Sequence, residues 1–166
     1  MQTFRNSSQP HPGEPIVEIT ALTDLSEWVP AADLNAWIEL EIAGLNGDVP
    51  QVVGPPPPDS PKMLIALLSF AYATRIFSCE EVAARCCSDT TFRQICRGSF
   101  PAAQELSSFR RQNRPLLQRI LARVLLRAVR HRFDLDADRL SPELEQDLWN
   151  HAARRLDVAR HLDTDE

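Results

Sequence analysis

The chain has 166 residues, 43% hydrophobic and 25% charged, with a net charge of −5 at pH 7. That length supports one compact domain with a real core. The longest apolar run, Met63–Ala73, falls well short of the roughly 20 residues that cross a bilayer, and the first residues lack the basic start and apolar stretch of a secretory signal, so neither a membrane span nor an export signal is expected.

In chain order, residues 1–27 open with "MQTFRNSSQPHPGEP", a Ser-, Pro- and Gln-rich composition that predicts a disordered or extended lead. A first helix is expected over Ala31–Leu45. Leu34, Trp37, Ile38, Ile42 and Leu45 share one stripe, Pro30 stands at its entry and Asn46-Gly47 at its exit. Residues 54–61 hold four consecutive prolines, a stiff spacer or a ligand for a proline-binding groove. Ser60-Pro61 then opens a core helix over Pro61–Arg75.

Ser78 followed by Glu81 is a capping-box pattern and starts a third helix, with Val82, Ala83 and Cys86 inward. A short fourth helix turns Phe92, Ile95 and Cys96 inward and stops at Gly98. A fifth segment places Ala102, Leu106 and Phe109 on one face and Gln104, Ser107, Ser108 and Arg111 on another. Pro115 marks a break, or a new first turn capped by Asn113. The next helix is strongly amphipathic. Leu116, Leu117, Ile120, Leu121, Val124, Leu125 and Ala128 oppose Arg119, Arg123, Arg127 and Arg130. Ser141 caps a final helix from Pro142 to about His161, with Leu144, Leu148, Ala152 and Leu156 as its stripe. The expected fold is all-α: a compact multi-helix domain (28–133) containing a helix-turn-helix-like unit, then a long amphipathic helix, then an acidic C-terminal helix (134–166).

The acidic total hides a basic block. Residues 85–132 hold 11 arginines against Asp89 and Glu105, between acidic flanks. Like charges four apart on a helix repel, so the arginines need a counter-charge. Two candidates are a nucleic-acid backbone and the acidic C-terminal helix packed alongside. A short helix, a glycine-containing turn and a helix bearing Gln, Ser and Arg is the pattern of a helix-turn-helix. In that reading Gln104, Ser107, Ser108 and Arg111 face bases, and Arg110, Arg114, Arg119 and Arg123 meet phosphate. The plainer reading is a solvated polar face.

Other chemistry is sparse. Cys79, Cys86, Cys87 and Cys96 lack zinc spacing and read as reduced structural thiols, with a metal or disulfide role as the alternative. Asp134, Asp136, Asp138 and Glu145 match calcium-loop positions, but Arg139 stands where the turn needs glycine and Pro142 lies inside, so a connector is the better reading. His11, His131, His151 and His161 are scattered in polar segments. No phosphate-binding glycine loop, metalloprotease helix or nucleophile elbow is present. No cofactor, metal or small-molecule substrate is expected.

"WVPAADLNAWIELEIAGL" followed, past the prolines, by "DSPKMLIALLSFAYATRIFSCEEVAARCCSDTTFRQICRGSFPAAQELSSFRRQN" resembles the N-terminal domain of bacterial insertion-sequence transposases of the DDE type. The likeness covers about Trp28–Phe133. It rests on Met63-Leu64, Leu67-Leu68, Ala71-Tyr72-Ala73, Ser78, Cys86, Asp89, Phe92-Arg93, Pro101 and Phe109-Arg110-Arg111. Ala102-Ala103 replaces the family's Asp-His. The family's RNase H-like catalytic domain has no counterpart in these residues. The resemblance implies a non-catalytic, transposase-derived module that binds double-stranded DNA, pairs with its own copy, or modulates an intact transposase. A decayed fragment is the third reading. The implied setting is the cytoplasm, at the nucleoid if DNA is bound.

Overall fold

The computed structural model describes residues 23–47 and 60–164. The expected lead falls largely, and the proline-rich spacer mostly, outside the described residues. Every regular element among the described residues is helical: α1 (Ala31–Ala43), α2 (Pro61–Ala73), α3 (Cys79–Ser88), α4 (Thr90–Cys96), α5 (Ala103–Gln112), α6 (Arg114–Phe133) and α7 (Pro142–Thr164), with short 3-10 turns at Leu25–Glu27 and Ala137–Arg139.

The centre is α2. From Leu64 to Ala73 every residue is buried, which fits a helix apolar on all sides and wrapped by neighbours. Its Tyr72 stacks on Phe77, and its Phe70 meets Phe92 of α4 edge-on, with ring centroids 5.5 Å apart. The α1 stripe is buried through Leu34, Ile38 and Ile42. Three helix starts are capped by side chains, that of α3 by Ser78, which accepts the Glu81 N–H at 3.5 Å. Asp89 accepts N–H bonds from Thr91 at 2.9 Å and Phe92 at 3.2 Å, capping α4. Ser141 accepts the N–H of Leu144 at 3.2 Å, capping α7. Each such cap answers donors a helix start leaves unpaired.

The long amphipathic helix α6 buries Leu117, Ile120, Leu121, Val124, Leu125, Ala128 and Val129. It lies antiparallel to α7, since Arg114 reaches Asp157 while Gln118 reaches the Trp149 carbonyl. Leu148, Ala152, Leu156 and Ala159 of α7 join the same core as α2. The wide apolar face of α6 is therefore covered within the chain.

Asn113 separates α5 from α6. It is buried, and its side chain makes no cap bond to α6. Instead its Nδ2 donates to the Phe109 carbonyl at 3.1 Å, closing the end of α5. Asp134 takes a left-handed conformation (φ 51°) that ends α6.

Candidate nucleic-acid interface

α4 and α5 are joined by residues 97–102. Arg97 (φ 53°) and Gly98 (φ 83°) are both left-handed, a conformation glycine takes at little cost and arginine only where the surroundings hold it. α5 then anchors itself on one side. Leu106, Phe109, Arg110 and Asn113, at i, i+3, i+4 and i+7, are all buried. On the other side Gln104 and Arg111 are exposed, with Ser107 and Ser108 half-buried. Ser108 Oγ accepts from Gln112 Nε2 at 3.2 Å. Ala102, expected on the inner face, precedes the helix and is exposed.

Arg110 departs from the phosphate-facing position read from the sequence. It is 4% exposed and ion-paired to Asp163, near the end of α7. Its Nη1 also lies 3.5 Å from Cys79 Sγ. The same carboxylate accepts the Cys79 N–H at 3.0 Å, at the first position of α3, and faces the Cys79 thiol at 3.0 Å. Asp163 thus serves a helix start, a thiol and a guanidinium together. Burial alone would raise its pKa, but hydrogen bonds from Cys79 and Arg110 outweigh burial and hold the carboxyl below its ordinary range. Burial, with Asp163 beside it, pushes the Cys79 thiol up to about 12, so this thiol stays protonated.

The remaining arginines are largely answered from within. Arg114 Nη2 lies 2.8 Å from Asp157 of α7. Arg123 and Arg127 take one oxygen each of Glu41 on α1, at 2.8 and 2.6 Å. Arg119 is half-buried. The C-terminal helix supplies the counter-charge to Arg110 and Arg114, whereas Arg123 and Arg127 of the α6 stripe find theirs on α1, which sequence spacing did not suggest. Arg123 still keeps 62% of its side chain exposed. Exposed surface therefore remains on Gln104, Arg111 and Arg123.

Arg155 is a residue that the sequence reading passed over. It is fully buried, and its guanidinium donates to the carbonyls of Tyr72 at 2.7 Å, Ala73 at 3.2 Å and Thr23 at 2.5 Å. Tyr72 and Ala73 are the last residues of α2, where carbonyls lack helical partners and the helix dipole is negative. Burial lowers the Arg155 pKa to about 10, with Asp24 opposing that shift. The signal lay in periodicity: Arg155 falls with Ala152, Leu156 and Ala159 on the inner stripe.

Among the described residues no three His, Cys, Asp or Glu side chains are grouped to hold a metal ion, and no helix is long and apolar enough to cross a membrane. The four cysteines are free thiols, and only Cys87 is exposed.

An all-helical domain that holds a short helix, a tight turn and a polar-faced helix on one hydrophobic core is the class these elements define. A family model described as Transposase domain (DUF772) matches residues 5–112, more than half of the chain, and the chain belongs to that family. No curated protein matches the chain, and no solved structure matches it. The residues that carry the likeness to insertion-sequence transposases fall mostly in the core. Leu64, Leu67, Leu68, Ala71, Tyr72, Ala73, Cys86, Phe92, Pro101, Phe109 and Arg110 are buried, Ser78 and Asp89 are helix caps, and Arg93 and Arg111 are exposed.

Proposed function

We propose that this transposase-derived chain is a non-catalytic DNA-binding module in which α4, the turn and α5 act as a helix-turn-helix-like unit. In this reading α5 enters the major groove. Gln104, Ser107, Ser108 and Arg111 meet base edges, and Arg119 and Arg123 approach phosphates. The observation that carries it is the division of α5 into an anchored face and a presented one. The anchored face holds the helix at a fixed angle, and the presented face bears only side chains that can hydrogen-bond base edges. Arg110 takes a positioning role, locking α5 to α7 through Asp163. Arg114, held to Asp157, joins the phosphate contacts if DNA competes with that carboxylate.

Fluorescence anisotropy of a labelled duplex, titrated between about 50 and 200 mM salt, tests the reading. A complex held by phosphate contacts weakens steeply as salt rises. Absence of binding at the low-salt end would remove the reading.

The second reading, an assembly module built on α6, has less room. The face it would use is buried by the chain's own α7, α1 and α2.

A further inference from the structure

Between α3, α4 and the turn that leads to α5 lies a hollow of about 320 Å3, lined by Cys86, Thr90, Arg93, Gln94, Gly98 and Phe100. Phe100 is 64% exposed. An aromatic ring left in water forgoes a sizeable burial gain, and here it stands at the turn fixed by Arg97 and Gly98. Arg93 and Arg97 are exposed as well, and neither forms an ion pair among the described residues. Among the described residues no carboxylate lines this hollow. A second hollow of about 350 Å3 is different: Asp24, Glu81 and Asp89 share its wall with Arg75 and Arg85, and Arg85 is already bonded to Glu81 at 2.9 Å. In that second hollow the carboxylates outnumber the guanidinium groups, whereas among the described residues Arg93 lines the first with no carboxylate beside it.

A ring open to solvent, an amide and a hydroxyl inside a hollow, and unpaired guanidinium groups together fit one ligand chemistry: an unpaired nucleobase on its phosphate backbone. Every base has a face that stacks on an aromatic ring. An amide both donates and accepts, as a base edge requires. Guanidinium groups suit the phosphates on either side. We propose that this hollow receives an unpaired base at the end of the duplex that α5 binds. Phe100 stacks on it, Gln94 and Thr90 bond its edge, and Arg93 and Arg97 hold the flanking phosphates. The proposal rests on the DNA-binding reading above and adds a specificity for DNA that is not fully paired.

The test uses the full chain and two labelled duplexes of the same sequence, one blunt and one with a short single-stranded extension. The extension tightens binding by about tenfold, the scale of one stacked base. Phe100→Ala abolishes that preference, leaves binding to the blunt duplex and the thermal unfolding curve unchanged, and Phe100→Trp retains it. Equal binding of both duplexes by the native protein overturns the proposal while the DNA-binding reading survives. So does a Phe100→Ala chain that loses affinity for both duplexes alike, or one whose only change is a smaller assembly mass, the mark of a protein contact. Failure to bind either duplex overturns both readings together.

Discussion

Arg110 of α5 and Asp163 of α7 are 53 residues apart in sequence and form an ion pair inside the protein, with Arg110 4% exposed and the Asp163 side chain 9% exposed. The next residue along α5, Arg111, is exposed. Two adjacent arginines thus face opposite environments. Removing one partner of a buried pair leaves the other charge uncompensated, at a cost of about 3 kcal/mol. Asp163→Asn is therefore expected to lower the thermal midpoint by about 10 °C, measured by circular dichroism.

The pH response of the pair has a definite sign. Asp163 titrates below its ordinary range in the fold and near about 4 in the unfolded chain. In that window the unfolded state binds the extra proton. The stabilisation is complete above the unfolded value and is lost as pH falls through the folded one. Thermal midpoints measured between about pH 6 and pH 3 should fall more steeply for the native protein than for Asp163→Asn. Parallel curves would assign the acid sensitivity elsewhere.

Arg155 makes α7 part of the core. Arg155→Leu keeps the bulk but leaves the carbonyls of Tyr72, Ala73 and Thr23 without this donor, and each buried acceptor left unpaired costs about 1 kcal/mol or more. A fall in the thermal midpoint of about 8 °C is expected. Deleting residues 134–166 should abolish the cooperative transition altogether, because Leu148, Ala152, Leu156 and Ala159 leave the core with it. A truncated chain that still melts cooperatively would show that α7 is a separable tail.

Helix positions were legible because the apolar period and the caps are local signals: Ser78 and Ser141 act within three residues of themselves, although Ser60 and Asn113, also read as caps, make no side-chain cap bond. The long-range partners were not. Glu41 meets Arg123 and Arg127 from 82 and 86 residues away, and no spacing rule links α1 to α6. Arg110 shows a different failure. Its position, four residues after Leu106 and one after Phe109, is an inner one, but an arginine suggests surface by residue type. Arg155 repeats it between Ala152 and Leu156. At both sites periodicity was the better guide than side-chain chemistry, since a buried carboxylate or a helix end supplied the missing partner.

Glu41 offers a test of charge in the DNA-binding reading. Its two oxygens hold Arg123 and Arg127, while Arg123 stays largely exposed. Glu41→Gln keeps an acceptor and removes the negative charge. Duplex affinity should rise about threefold at low salt, and the difference should shrink as salt screens it. Anisotropy titrations at two salt concentrations measure this. An unchanged affinity would place α6 away from the DNA.

The most direct measurement compares Arg110→Ala with Arg111→Ala, reading the thermal midpoint and duplex affinity of each. The account predicts that Arg110→Ala lowers the midpoint strongly, whereas Arg111→Ala leaves it in place and weakens duplex binding about tenfold or more, the scale of one base-edge contact. An Arg111→Ala chain that binds duplex DNA as the native protein does would contradict the assignment of the exposed face of α5 to DNA.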